Sequence, residues 1–309
     1  MSSLVEVSTH WPEQVPIASR QQALGLEDRE LLRYRRGFGL SEICWDDSRS
    51  ETDLLLAAAG KLSMLRGRED QVRFVIRPTT QRFPNAYTQS GLQTVRRELG
   101  LMHANAFAVT EQACASGLLG IDVAGTLLAG EDDPDALALV LIGEKAYTQA
   151  AQVVRGVGIT GEATAAVLVS ANGSQNRVLG FATRTVSVGD PGLVMSDAAS
   201  ARFREIYPDV LMEVVNGALS EAGVDIGDIS LVLPHNVNRI AWVRLVDRIG
   251  VPLGRMFLDN IPLTGHCFGA DPFLNYVSAL EIGRLSPGDR YLMISVGVGA
   301  TFAAMVLEH

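Results

Sequence analysis

"VTEQACASGLLGIDVAG", residues 109–125, sets one cysteine between the end of an apolar run and the start of a Gly/Ala-rich segment. Its reading decides the fold: a strand ends, the chain turns, and a helix begins near Cys114. Cysteine is often a small core residue, and that is the plain reading of Cys114 taken alone. At a helix start, however, a thiol meets backbone N–H groups without helical partners and the positive end of the helix dipole, which favour the thiolate.

Outward from this stretch, similar junctions recur. "VRFVIRPTT" (72–80) reads as a buried strand stopped near Pro78, followed by an amphipathic helix at about 87–99 and the strand "NAFAVTE". "ALALVLIGEKA" (136–146) is an all-apolar strand. "ATAAVLVSA" (163–171) and "RVLGFATRTVSV" (177–188) are two more that could lie side by side. In the second half, "PDVLMEVVNGALSEAG" is a helix, "ISLVLPHN" a strand, "NRIAWVRLVDRIG" a helix, "GRMFLDNIP" a strand and "GADPFLNYVSALEIGRL" a helix. "DRYLMISVGVGATFAAMVLEH" supplies the closing strands. The first seventy residues read as irregular and charge-rich, with helices at 27–36 and 51–65.

The halves can be laid on each other. "VRFVIRPTT" matches "ISLVLPHNV", "AFAVTEQACASGL" matches "MFLDNIPLTGHCFGA", and "LALVLIGEKA" matches "YLMISVGVGA". Strands without polar alternation, separated by helices, imply sheets covered on both faces. The expected architecture is two similar α/β halves, residues 1–172 with the nucleophile and 173–309 with two histidines. The site would lie between them, at the ends of matching strands.

Composition bounds the function. The 309 residues carry a net charge of -9, which argues against a nucleic-acid backbone as partner. No apolar run reaches the roughly 20 residues that span a bilayer, and the start lacks the apolar core of a signal peptide. Three cysteines without a CxxC pattern suit a reducing cytosol. The five histidines form no zinc spacing, so no metal is expected.

Three strand-to-turn junctions carry reactive groups: Cys114 in "EQACASG", His235 in "LPHNVN" and His266 in "LTGHCFGAD". Alone, His235 is a strand-end histidine satisfied by backbone and His266 a turn residue. The repeat sets all three at equivalent ends of paired strands, where two imidazoles can bind an acyl carbonyl or move a proton. The glycines of "SVGVGAT" allow close backbone approach and an N–H for a thioester oxygen. Glu111 and Gln112 read as turn-fixing residues and Cys267 as filler. Asp271 could orient an imidazole, but a carboxylate at a helix N-terminus is the plainer account.

These residues resemble a known family. From "WPEQVPIA" through "YRRGFGLSEI" and "FPNAYTQSGLQTVRRELGL" to "GVGATFAAMVLEH", the chain is similar to thiolase-fold condensing enzymes of the β-ketoacyl-ACP synthase III type. Its most specific parts are "ACASG" and "LVLPHNVNRI". The resemblance implies a layered α-β-α-β-α sandwich, a homodimer, and no resident cofactor, acyl-CoA or acyl-ACP being substrate. It implies that Cys114 takes an acyl group as a thioester, with His235 as first catalytic histidine and the backbone N–H groups of Cys114 and Val298 as oxyanion hole. Arg35 and Asn238 are the expected substrate-binding residues.

Three positions depart from the family pattern. Its Asn in a GNTS segment is His266 here, in a stretch similar to the GHxxGAA of elongating ketosynthases with a Cys-His-His set. Its adenine-stacking tryptophan falls at Leu31, and the arginine after "PHNVN" is out of register by one. "GDGAG" reads "GEATA", and the middle of "GGG" is Val298. The expected function is acyl transfer through Cys114, first as decarboxylative condensation with His235 and His266 stabilising an enolate. Transfer to an amine or hydroxyl with His235 as base is the alternative. A non-catalytic, carrier-binding partner subunit is a third, against which the three retained reactive side chains speak.

Overall fold

Residues Ser3–His10, in a stretch expected to be irregular, form the strand on which both halves rest. In the computed structural model, which describes residues 2–80, 90–189 and 195–309, nine strands build one sheet. They are β1 (Ser3–His10), β2 (Val72–Pro78), β3 (Asn105–Val109), β4 (Leu137–Ile142), β5 (Thr164–Ser170), β6 (Arg177–Thr185), β7 (Ile229–Pro234), β8 (Arg290–Gly297) and β9 (Thr301–Glu308). Their order is β7-β8-β9-β6-β1-β5-β4-β2-β3. Polar residues interrupt "SLVEVSTH", which hid β1; its Leu4 is nonetheless fully buried.

The repeat is one of topology. On one side β1, β5 and β4 pair antiparallel, then β4, β2 and β3 run parallel. On the other, β6, β9 and β8 pair antiparallel and β8 and β7 run parallel. The sides meet where Ser3 pairs with Arg177, helped by Leu4 N–H to Asn176 O at 3.0 Å. The expected division at 172/173 falls between β5 and β6. Two expectations change. β5 and β6 are not neighbours, because β1 lies between them. "GRMFLDNIP" is no strand: it contributes one parallel bridge, Val232 to Met256, before turning into the short helix Ile261–Thr264. Pro262, without an N–H, suits that first helical turn and not a ladder.

Among the described residues six longer helices cover the sheet: α1 (Glu51–Ala59), α2 (Gly91–Glu98), α3 (Ser116–Leu128), α4 (Asp197–Ala222), α5 (Arg239–Ile249) and α6 (Asp271–Glu281). Of the helix expected at 87–99, residues 87–89 lie outside the described ones. Ser50 and Asp53 form a reciprocal cap on α1, while Asn238 caps α5 and Gly250, at φ 84°, ends it. Strand alternation sorts the layers. Val75, Leu139 and Leu168 pack with Leu55 and Ala58 of α1 on one outer face. Ile76, Val140 and Val167 face inward with Leu231, Met293 and Met305, around Leu118 and Ile121 of α3 and Phe273 and Leu274 of α6. Leu292, Ile294 and Ala304 meet Leu211 and Val215 of α4 and Trp242 of α5 on the other outer face. The layers run α-β-α-β-α. Each such buried Leu, Ile or Phe contributes about 1.5–3 kcal/mol relative to exposure, and the central layer, fed by both halves, clamps α3 against α6.

That clamp is tightest where two glycines meet. A Cβ on Gly117, in the first turn of α3, would lie 2.4 Å from the carbonyl oxygen of Gly269, just ahead of α6. Backbone therefore packs on backbone between the segments that carry Cys114 and His266. Gly117→Ala forces them apart and is expected to cost about 1–3 kcal/mol, a fall of several degrees in Tm with loss of activity. An unchanged Tm in thermal unfolding would refute this contact.

Candidate active site

Cys114 stands on a strained turn. β3 ends at Val109, Ala113–Ala115 make a single tight helical turn, and α3 begins at Ser116. Glu111 and Ala113 have φ of 71° and 45°, in the left-handed region that side chains disfavour. The turn is held by Ala115 N–H to Gln112 O at 3.0 Å and by the Ser295 hydroxyl donating to Cys114 O at 2.7 Å. Gly297, at the end of β8, faces it so closely that a Cβ would lie 2.5 Å from Ala113 Cβ and 2.7 Å from Gln112 O. Cys114 is buried at the floor of the site.

His266 is fixed by backbone and side chain together. Its N–H donates to Ile159 O and its carbonyl accepts from Gly161 N–H, both at 2.9 Å. Phe268 beyond it has φ 55°. The ring points Nε2 at Cys114 Sγ, 3.1 Å away, and Nδ1 at Asp271 Oδ2, 2.5 Å away. Asp271 is fully buried. It also accepts the Asn236 N–H at 2.6 Å and the Cys267 N–H at 2.7 Å, so three donors compensate one buried carboxylate. One of those donors belongs to the loop after His235, so the carboxylate joins both histidine loops.

His235 follows β7. Its carbonyl accepts from Trp242 Nε1 at 2.9 Å, and its ring stands edge-on to Trp242 (5.1 Å) and to His266 (5.8 Å). The two imidazoles are driven in opposite directions. Burial alone would lower His266, but the charges of Cys114 and Asp271 and its bonds to both outweigh it and hold its pKa well above 6.5. His235 is pushed well below 6.5 by burial first and then by the charge on His266. His266 is thus held toward its charged form between Asp271 and Cys114, and His235 toward its neutral form.

A cavity of about 820 Å³ opens onto the Cys114, His235 and His266 side chains. Val298 lines it beside the nucleophile turn. Asn238 lines it too, but its amide is used: Oδ1 caps α5 through Ala241 N–H at 2.8 Å and Nδ2 donates to Val157 O at 3.0 Å. Arg35 is exposed and does not line the cavity; Arg33 does. Leu31 and Tyr34 are buried, and that face of the turn carries Arg35 outward. Sequence reasoning also underrated Asp271, which sits at the first position of α6 and orients His266 as well. Nothing in sequence spacing flags a wall of α4 residues including Phe203 and Tyr207. Among the described residues, no group of three or more His, Cys, Asp or Glu could hold a metal ion, and no helix is long and apolar enough to cross a membrane.

Comparison with known proteins agrees with this arrangement of elements. The family described as "3-Oxoacyl-[acyl-carrier-protein (ACP)] synthase III C terminal" matches residues 219–309. The chain is 30% identical over 237 residues to the β-ketoacyl-[acyl-carrier-protein] synthase III of Nitratidesulfovibrio vulgaris (strain DSM 19637 / Miyazaki F), covering 69% of this chain and 70% of that one. It is 25% identical over 305 residues to the synthase III of Clostridium perfringens (strain 13 / Type A), covering 90% of each. In fold it resembles the acyltransferase ChlB3, with TM-score 0.86 and 20% identity over 99% of this chain and 97% of that one. It likewise resembles the 3-oxoacyl-[acyl-carrier-protein] synthase III of Aquifex aeolicus VF5, with TM-score 0.80 and 19% identity over the whole of both chains. The fold is thiolase-like, and the chain belongs to the β-ketoacyl-[acyl-carrier-protein] synthase III family of enzymes.

Proposed function

We propose that the enzyme moves an acyl group through a thioester on Cys114, from an acyl-carrier or acyl-CoA donor to a hydroxyl or amine. The observation that carries this reading is the relay of Cys114 Sγ, His266 and Asp271, at 3.1 and 2.5 Å. A paired thiolate and imidazolium is a nucleophile with its acid already in place. The thiolate attacks the donor carbonyl, and the backbone N–H groups of Cys114 and Val298 take the charge that develops on oxygen. The donor thiol leaves with the proton from His266 Nε2. His266, now neutral and oriented by Asp271, accepts the proton of the incoming hydroxyl or amine as it attacks the acyl carbon. Cys114 leaves as thiolate, and the ion pair is restored.

This moves the base from His235, where sequence reasoning set it, to His266. Decarboxylative condensation remains a second reading, favoured by one observation. His235 is neutral beside a cationic His266, so two N–H donors could meet at one thioester oxygen as carbon dioxide leaves and an enolate forms. Carrier-bound donors suit the chain better than coenzyme A, because Leu31 lies in the core and offers no ring to an adenine. A cytoplasmic setting fits the three free, buried cysteines. A homodimer fits β3, a sheet edge that among the described residues pairs with β2 alone.

Incubation with a competent donor should add one acyl mass to the wild type and none to Cys114→Ala, read by intact-protein mass spectrometry. Labelling at Cys44 or Cys267 would overturn the assignment. His266→Ala should slow release of the acyl group to a hydroxyl or amine by about 10²–10⁴, with His235→Ala much milder. Carbon dioxide release from a malonyl-type thioester, without transfer to any heteroatom, would replace this reading by condensation. Asp271→Asn should lower the pKa of His266, since it removes a charge and a hydrogen bond that raise it. An imidazole titration by NMR that matches wild type would sink the relay. Light scattering should give a mass near twice 33.2 kDa; a monomer's mass would rule out the dimer.

A further inference from the structure

We propose that one face of α4 is the acceptor site, and that it selects a ring compound bearing an anionic group beside its nucleophilic hydroxyl or amine. The inference rests on the heteroatom-transfer reading above. Ser200, Phe203, Arg204, Tyr207 and Pro208 recur at helical spacing and all line the cavity whose floor is Cys114 and His266. Phe203 and Tyr207 stand edge-on with ring centroids 5.4 Å apart, and Phe302 braces Tyr207 from behind at 5.3 Å. Two rings locked at right angles in this way give a rigid aromatic corner, with one ring face and one ring edge to meet another ring. Such a corner suits a ring; the pantetheine arm of a donor is a flexible chain without one.

The polar groups on this wall have no use within the described residues. The Ser200 and Tyr207 hydroxyls make no hydrogen bond there. Burial raises the Tyr207 pKa, so its hydroxyl stays protonated and can donate. Pro208 has no N–H, so the Arg204 carbonyl lacks its helical donor. Arg204 and, from α5, Arg244 reach the same cavity and form no ion pair with a described carboxylate. In a chain of net charge -9, these two guanidinium forks, with Arg33 at the same cavity over the Phe38 ring and likewise without an ion pair to a described carboxylate, are matched to a carboxylate or phosphate.

Calorimetry on the full-length protein tests the site with 4-hydroxybenzoate, 4-hydroxyphenyl phosphate and phenol as probes. At least one anion should bind about tenfold or more tightly than phenol, a difference of about 1.4 kcal/mol; which one separates carboxylate from phosphate. Arg204→Ala should erase that preference, and Tyr207→Phe should weaken all three without lowering Tm. In single turnovers, both variants should slow transfer from acylated Cys114 to the preferred probe, while loading of Cys114 keeps its wild-type rate. Equal binding of phenol and both anions, or loading that falls in step with transfer, would overturn the proposal, the latter because the wall would then serve the donor. If the anions bind as expected but acylated enzyme yields only condensation products, the heteroatom-transfer reading fails and the anionic-ring site stands.

Discussion

A buried carboxylate with three donors organises the reactive centre. Asp271 receives N–H groups from the loop after His235, from the residue after His266, and from the His266 ring itself. Stripped of those partners, a charge at zero exposure would cost several kcal/mol. The two histidine loops therefore cannot drift independently without leaving that charge exposed to an apolar layer. The position of Asp271 at the start of α6 adds the favourable end of a helix dipole. One side chain thus couples the ends of β7 and α6 to the orientation of an imidazole over Cys114.

The same carboxylate separates the electrostatics of two rings 5.8 Å apart. Charge on His266 is favoured by its contacts with Asp271 and Cys114 despite burial, and that charge then disfavours a second one on His235. The site consequently holds a proton at one place and a neutral hydrogen-bond donor at another. Stability follows with opposite signs. The folded pKa of His266 is raised, so its contribution is full below about 6.5 and is lost as pH climbs through the folded value. That of His235 is depressed, so its contribution is full above about 6.5 and is lost as pH falls through the folded value.

Much of this was legible in the chain. Apolar runs such as "LALVLI" and "TAAVLVS" are buried at every position, which is why they read as covered strands without ambiguity. The matched halves were legible because topology repeats the order of elements even where identity is slight. β1 was not, since a strand at the junction of two half-sheets is half-exposed along its middle and reads as mixed. "GRMFLDNIP" misled for the opposite reason: its apolar triplet is buried by packing and by one bridge, with no ladder. At the site, Cys114 and His235 could be found because each follows a strand end, and His266 because the repeat aligns its segment with that of Cys114, although a short helix precedes it in place of the expected strand. Asp271 was weighed but set aside, because spacing along a chain cannot say whether a helix-start carboxylate faces a ring. The α4 wall left no signal at all, its residues being ordinary helix positions until the fold turns them toward the cavity.

Close backbone contacts explain why so few side chains are needed to align chemistry drawn from both halves. At Gly117 against Gly269, and at Gly297 against the Cys114 turn, no methyl group fits. The distance from Sγ to Nε2 is therefore set by main chain packed on main chain, which deforms far less than interleaved side chains do. Strain at Glu111, Ala113 and Phe268 is the counterpart: each is held in a left-handed conformation costing about 1–3 kcal/mol. The offset comes from the layer in which α3 and α6 bury Leu118, Ile121, Phe273 and Leu274. The nucleophile and its partner are thus held against a relaxation that either loop would undergo alone, and the central helical layer is what holds them.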